Sequence, residues 1–312
     1  MPSVSIITPT YNRAHLLPRV WNSLCGQTEQ NFQWIVVDDG STDNTKEVVC
    51  DFNDPRIDYV CLPNNTGVNA ARNRGEQEIK AEFVVYLDSD DEFFDATSLA
   101  EMMREIRETR PEIACVNFIH VDEYGQKVPH LEADRMEADY IDHVCEQKFW
   151  GDFFTIQRYD SLAISPWPPY RGFEGLRHWR IARQRPTLLI NRVAGRVYRQ
   201  KDNLTLPQSA ILHAASMAKA ANELIDEHKS AWLNHCPSQF GKYSFWLAMY
   251  LVLSGSSYLA LPSLFSALRY GKWSIRIKAV LLFLACIFPL NMRKKLFLLQ
   301  KNMRNRMAQN KG

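Results

Sequence analysis

Val85-Tyr86-Leu87-Asp88-Ser89-Asp90-Asp91 is the stretch on which the reading of this chain turns. The apolar run from Phe83 to Leu87 has the make-up of a strand buried on both faces, as in a parallel sheet. It breaks into three carboxylates within four positions. Burying carboxylates at a strand end is costly unless a cation or hydrogen-bond donors compensate them. Side chains alternate along extended chain, so Asp88 and Asp90 point to the same side of the strand end. There they can share one hard divalent cation, Mn²⁺ or Mg²⁺, which takes carboxylate and phosphate oxygens. The alternative is a loop of solvated acids opening the next helix, and three Asp alone would favour it. The chain ahead of the cluster shifts the balance.

Upstream, Val4 to Pro9 reads as a first strand followed by the polar turn Thr10-Tyr11-Asn12-Arg13. His15 to Cys25 then carries helical spacing through Leu16, Leu17, Val20 and Leu24. Phe32 to Val37 is a second apolar strand that also ends in acids, Asp38-Asp39, and a helix capped by Thr42 or Asp43 runs to about Phe52. A third strand spans Ile57 to Leu62, and the turn Asn64-Asn65-Thr66-Gly67 leads into a helix from Val68 to Ile79. Beyond the acidic cluster, Thr97 to Thr109 is helical and Ile113 to Phe118 is a fifth strand. Strands alternating with helices predict a mostly parallel α/β sheet, whose ligands sit beyond the carboxyl ends of the strands. Three of those ends carry polar groups: Thr8 to Asn12, Asp38-Asp39 and Asp88 to Asp91.

After Phe118 the pattern changes. His120 to Val128 reads as a hairpin around Tyr124-Gly125, Lys148 to Ile164 as irregular, and Ser165-Pro166-Trp167-Pro168-Pro169 as a rigid loop. A short helical pattern over Gly172 to Arg185 is followed by extended chain from Thr187 to Tyr198 and a mostly helical stretch from Asn203 to Leu233. This predicts three parts: 1–118 and 119–200 as the two halves of one domain, and 201–312 as a helical extension.

Charge divides along the same line. From His228 to Gly312 there is no Asp or Glu against 13 Lys and Arg, so the net charge of +2 hides a front of about −11. Tyr243 to Leu268 holds no charged side chain, but Ser254-Gly255-Ser256-Ser257 and Pro262 interrupt it, which predicts two shorter helices rather than one span. Ala279 to Leu290 is too short to cross a bilayer and is flanked by Lys278 and Arg293-Lys294-Lys295. That is the pattern of a helix lying in an anionic headgroup zone. The seven scattered cysteines contain no CxxC pair, so neither a disulfide framework nor a zinc ribbon is expected. Met1-Pro2-Ser3 leads straight into a strand, with no signal-peptide pattern.

Four motifs in order, Val4-Ser5-Ile6-Ile7-Thr8-Pro9-Thr10-Tyr11-Asn12-Arg13, Ile35-Val36-Val37-Asp38-Asp39-Gly40-Ser41-Thr42-Asp43, Gly67-Val68-Asn69-Ala70-Ala71-Arg72-Asn73 and Asp88-Ser89-Asp90-Asp91, resemble the family 2 glycosyltransferases with the GT-A fold. The resemblance covers roughly the first 115 residues. It implies an inverting, metal-dependent transfer of one sugar from a nucleotide diphosphate sugar, UDP above others, in surface-polysaccharide or lipopolysaccharide assembly. By that resemblance Pro9 and Tyr11 wall the base pocket, and Asp39 accepts the imide N–H of a pyrimidine. Asp38 is structural and Gly67 lets the backbone approach closely. Arg72 meets base or diphosphate, and Asp88 faces the ribose. Asp90, assisted by Asp91, holds the Mn²⁺ or Mg²⁺.

Inversion also needs a base for the acceptor hydroxyl. The nearest match to the family's acidic pair is Phe173-Glu174-Gly175, where Gly175 stands in place of the usual Asp and leaves Glu174 as the candidate base. The bland role for Glu174 is pairing with Arg177 or His178 one turn on. Asp152 and Asp160 are substitutes, and Trp150, Trp167 and Trp179 suggest a sugar-stacking platform. There is no Gln-x-x-Arg-Trp motif of the processive synthases. The expected acceptor is a glycan or lipid-linked oligosaccharide at an anionic membrane surface, with the protein peripheral on the cytoplasmic side of the inner membrane and no nucleic-acid partner. Two other readings are a sugar nucleotidyltransferase, against which the Gly-free turn Thr8 to Arg13 argues, and an inactive membrane-associated scaffold of the same fold.

Overall fold

The computed structural model describes residues 1–145, 152–170, 173–198, 211–295 and 297–298. It divides into two compact units: Met1–Pro169 with Glu174–Lys201, and Tyr170–Phe173 with Asp202–Gly312.

The first unit is a mixed sheet with helices on its faces. Strands β1 (Val4–Thr10), β2 (Phe32–Asp38), β3 (Ile57–Cys61) and β4 (Phe83–Tyr86) form its parallel part, in the order β3-β2-β1-β4. Every residue of β1 and β2 is buried. The pleat sends alternate side chains to two separate cores. Val4, Ile6, Phe32, Trp34, Val36 and Val85 pack on α1 (Leu17–Cys25) and α4 (Ser98–Glu108), while Ile7, Ile35, Val37 and Val84 pack on Ala71 of α3 (Val68–Glu76). Apolar residues on both faces are what the sequence shows as continuous runs. Trp34 is fully buried because its indole N–H donates to Thr8 Oγ1 at 2.9 Å and its ring stacks on Trp21 at 5.4 Å.

Past β4 the sheet continues as β9 (Phe154–Arg158), β6 (Cys115–Val121), β10 (Thr187–Arg196) and β5 (Glu92–Phe93). β9 runs antiparallel to both neighbours, pairing Val85 with Ile156 and Phe118 with Phe154. This corrects the irregular reading of Lys148 to Ile164. Five residues with alternation only at Phe154 and Ile156 carry too little periodicity to announce a central strand. The polar residues of β9 are satisfied inside: Thr155 Oγ1 donates to Asn117 Oδ1 at 2.7 Å, and Gln157 Nε2 to Ser161 Oγ at 2.9 Å. The expected hairpin is present as β6 with β7 (Lys127–Val128), and β8 (Arg135–Ala138) pairs with β10. Two further helices complete the unit's outline, α2 (Thr45–Asp51) and α5 (Tyr140–Cys145), with α6 (Gly175–Gln184) following Glu174.

The second unit is helical: α7 (Ala214–His235), α8 (Pro237–Leu253), α9 (Leu261–Tyr270) and α10 (Trp273–Ala285). The apolar run does break at Ser254-Gly255, and Pro262 sits in the first turn of α9, where its missing N–H costs nothing. Ala248, Val252, Ala260, Leu264, Ala267 and Ala279 form the unit's small-residue core. Outside it, Phe265, Trp273, Val280, Leu281, Phe283 and Ile287 stay exposed. No helix among the described residues is long and apolar enough to cross a membrane.

Candidate functional site

Parallel pairing puts the carboxyl ends of β3, β2, β1 and β4 along one edge. The register sets Thr10 beside Asp38 and Asp38 beside Cys61, and Leu87 N–H donates to Ile7 O at 3.0 Å. Asp39 therefore follows β2 on one side of β1, and Asp88 to Asp91 follow β4 on the other. The loops are stitched together. Asn12 N–H donates to Ser41 Oγ at 2.8 Å, Thr42 N–H to Asn12 Oδ1 at 2.8 Å, and Ala14 N–H to Asp43 Oδ2 at 3.1 Å. Asn12 takes a positive φ of 52° to make this turn, which Asn tolerates better than most residues.

Asp38 is structural, receiving Ser41 N–H at 2.8 Å and Tyr59 Oη at 2.5 Å. Both oxygens of Asp39 are engaged as well. Thr66 N–H reaches Oδ1 at 2.8 Å with the Thr66 hydroxyl at 2.9 Å, and Gly67 N–H reaches Oδ2 at 2.7 Å. Asp39 thus fastens the loop that begins α3; Oδ1 accepts two hydrogen bonds, and Oδ2, which accepts one, retains a second lone pair. Two glycines make this possible. A Cβ on Gly40 would lie 2.7 Å from the Asn64 carbonyl carbon, whereas Gly67 has open space but a φ of 97°. Gly67 is therefore needed here for its positive-φ backbone. Pro9 is buried, and the Tyr11 ring is 42% exposed.

The acidic cluster is surrounded by cations. Arg72 Nη2 pairs with Asp88 Oδ1 at 2.8 Å. Arg13 Nη1 pairs with Asp90 Oδ2 at 3.1 Å and donates to Ser89 Oγ at 3.1 Å. Arg19 donates to the Asp90 carbonyl and lies 4.0 Å over the Tyr198 ring, while Tyr198 N–H donates to Asp91 Oδ1 at 3.2 Å. Burial raises the Asp90 pKa, with Asp88 adding and Arg13 opposing. Burial again, then repulsion from Asp88 and Asp90, holds the Asp91 carboxyl well above the usual range. For Arg72, burial works against the charge, and Asp88 with Glu174 more than offsets it, so its pKa is raised. Glu174, at the N-cap of α6, therefore acts electrostatically on the same cation as Asp88.

A hard divalent cation fits this donor set. The cluster offers only oxygens and carries mutual repulsion that burial leaves poorly screened. Among the described residues no three His, Cys, Asp or Glu side chains close into a protein cage. A cation of the Mg²⁺ type needs only one or two carboxylates when substrate phosphates and water complete its shell.

The remaining expected residues fall elsewhere. Asp160 pairs with Arg185 at 2.8 Å, and Asp152 is exposed near His120. Trp167 and Trp179 are only 4% and 8% exposed, so they offer no open sugar-stacking platform, and Trp150 lies outside the described residues. Arg177 spends its ion pair on Glu76 at 2.5 Å. Sequence reasoning gave no role to Arg13, Arg19, Glu76 or Tyr198, and offered Arg177 only as a pairing partner of Glu174, not of Glu76. A signal for one group existed: Asn69, Arg72, Asn73 and Glu76 fall at helical spacing on one face of α3.

A mixed sheet of this topology, with polar loops at the ends of its parallel strands and an acidic cluster after β4, is that of a GT-A glycosyltransferase. Residues 5–165 match the family described as Glycosyl transferase family 2. The chain belongs to that family, and the nucleotidyltransferase alternative falls away. A Campylobacter jejuni protein named GalNAc(5)-diNAcBac-PP-undecaprenol beta-1,3-glucosyltransferase is 28% identical over 95% of this chain and 97% of its own length. Among solved structures, S. aureus TarS 1-349 in complex with UDP-GlcNAc aligns with a TM-score of 0.57 at 17% identity, over 84% of this chain and 89% of that one. The Pyrobaculum calidifontis mannosyltransferase PcManGT, in complex with GDP-Man and Mn²⁺, aligns with a TM-score of 0.56 at 17% identity, over 97% of this chain and 87% of that one. At such identities the structural likeness concerns the fold.

Proposed function

We propose that this glycosyltransferase moves a single sugar, with inversion, from a UDP-sugar to a lipid-linked oligosaccharide during surface-polysaccharide assembly, at the cytoplasmic face of the membrane. The observation that carries the reading is the meeting of Asp39, Arg72–Asp88 and Asp90 at one edge of the parallel strands. The lipid-linked acceptor is supported by the printed activity of the C. jejuni relative, which covers nearly the whole chain.

Tyr11 and Pro9 wall the base, and the spare lone pair of Asp39 Oδ2 accepts the pyrimidine imide N–H. Arg72 offers its cation to the diphosphate while holding Asp88 for the ribose hydroxyls. Asp90, with Asp91 beside it, would hold Mn²⁺ or Mg²⁺, which when bound supplies Lewis-acid neutralisation of the departing diphosphate. On the other side, Glu174 takes the proton from the acceptor hydroxyl as that oxygen bonds to the anomeric carbon. The bond from that carbon to the diphosphate oxygen breaks on the opposite face, which inverts the configuration. Glu174 feels Arg72, so base and donor cation share one electrostatic environment.

Membrane association is supported by the second unit. Its exposed Phe265, Trp273, Leu281 and Ile287 accompany a stretch from His228 onward with no acidic residue. Full-length protein is expected to pellet with phosphatidylglycerol vesicles, and the Phe265→Glu/Leu281→Glu variant to remain in the supernatant. Equal pelleting of the two would count against it. For the donor, a thermal-shift comparison of UDP-, dTDP- and GDP-sugars with and without Mn²⁺ tests the site, because ligands stabilise by mass action. The largest shift is expected with UDP and Mn²⁺ together; a response to guanine nucleotides alone would remove Asp39 from its role.

A further inference from the structure

Arg72 and Glu174 belong to α3 and to the start of α6, elements far apart in sequence that share no strand. Trp167 lies where they are joined. The Arg72 guanidinium lies over its ring at 4.6 Å from the centroid, and the Arg177 guanidinium, one turn beyond Glu174, lies over the same ring at 4.4 Å. Each cation has its own carboxylate: Asp88 for Arg72 at 2.8 Å and Glu76 for Arg177 at 2.5 Å. The Glu76 Oε1 atom also receives the Trp167 indole N–H at 2.8 Å and the Tyr86 hydroxyl at 2.5 Å. Asn73 clamps the Trp167 backbone, accepting its N–H at 2.8 Å and donating to its carbonyl at 3.0 Å, and Asn69 Nδ2 donates to Pro168 O at 3.1 Å. The plate is thus fixed on α3 by its backbone and indole N–H, and is shared with α6 through the Arg177 guanidinium over its ring.

Arg177 is an expensive way to join two helices. It is completely buried, and its Nε and Nη2 atoms find no hydrogen-bond partner among the described residues. A buried ion pair of this kind adds little stability over an apolar residue of similar volume, whereas planar guanidinium groups fix geometry. We propose that Trp167 and Arg177, neutralised by Glu76, are positioning residues that hold the Glu174 end of α6 in register with the Arg72–Asp88 pair. The acceptor side is thereby aligned to the donor side. This rests on the reading of Glu174 as the base and adds the device that places it.

The test uses full-length Arg177→Met and, to avoid a stranded Glu76 charge, Glu76→Gln/Arg177→Met. Three quantities are compared with wild type: UDP–Mn²⁺ affinity by calorimetry, acceptor-free hydrolysis of UDP-glucose, and transfer to a synthetic polyprenyl diphosphate N-acetylhexosamine. Affinity and hydrolysis are expected within about threefold of wild type, since uniform donor binding is untouched. Transfer is expected to fall about 10²-fold in both variants, the cost of misplacing a reacting group by about 1 Å. Full transfer by the double variant, or an equal fall in affinity and transfer, would make the network merely structural and overturn the proposal. Glu174→Gln is run beside them: if it transfers normally, the base reading fails by itself. The positioning claim is then judged by amide exchange in the first turn of α6, which must quicken in Glu76→Gln/Arg177→Met at unchanged melting temperature. Unchanged exchange would overturn it.

Discussion

The ends of β1, β2 and β4 and the segment from β9 to α6 solve opposite problems with the same residue types. At the strand ends, carboxylates that are buried or half-buried gather between Arg13, Arg19 and Arg72 in pairs that span separate loops. Around α6, charged and aromatic side chains are buried, and each has a fixed partner through Glu76 and Trp167. In the proposed function the first set of charges serves a ligand and the second serves alignment. The comparison predicts that the first region fails by losing ligands and the second by losing geometry.

The largest effect is expected at Asp90. Asp90→Asn keeps the side-chain volume but removes the carboxylate, and transfer should fall by about 10³-fold with the fold intact, as loss of several kcal/mol of transition-state charge stabilisation dictates. Near-normal turnover by circular-dichroism-native protein would place the cation elsewhere. Next comes Glu174→Gln, expected to lower kcat by about 10² to 10⁴ with little change in donor KM, the range for a lost general base. A matching rise in donor KM would assign Glu174 to binding instead.

How much of this contrast is legible before folding depends on how local its signals are. Asp38-Asp39 and Asp88 to Asp91 each follow an apolar run, so strand, edge and acid are contiguous in sequence, and the parallel half follows from them. β9 is invisible because its place between β4 and β6 is decided by long-range antiparallel pairing, not by its own short pattern. Trp167 reads as sugar platform or core because nothing local reveals that Arg72 and Arg177 converge on it. Arg13 stands within a quoted motif, yet its pairing with Asp90 is a contact across two loops.

A smaller effect sharpens the donor side. Tyr11→Ala should weaken UDP binding about 5- to 10-fold, the worth of one aromatic stacking partner, and leave kcat within twofold. An unchanged Kd by calorimetry would mean the exposed ring does not meet the base. The smallest lies outside both regions, on α5. Burial lowers the His143 pKa from 6.5 to about 4, with Asp142 and Asp139 opposing, and its Nε2 lies 2.8 Å from Thr187 Oγ1. Between those values the unfolded chain binds a proton that the folded one refuses, so stability is lost as pH falls below 6.5. Burial also pushes the His178 pKa down, to about 3. Urea unfolding of His143→Gln should therefore retain a pH slope but lose less stability than wild type between about pH 6.5 and 5, by on the order of 2 kcal/mol. Identical pH slopes for both proteins would mean that His143 is not the group responsible.

The most direct measurement is calorimetric titration of UDP into the full-length protein with and without Mn²⁺, repeated on Asp90→Asn. Binding should tighten by at least about tenfold with the metal in wild type and lose that dependence in the variant, as metal bridging carboxylate to diphosphate requires. Affinity that ignores Mn²⁺ in wild type, or that keeps its Mn²⁺ dependence without the Asp90 carboxylate, would contradict the account.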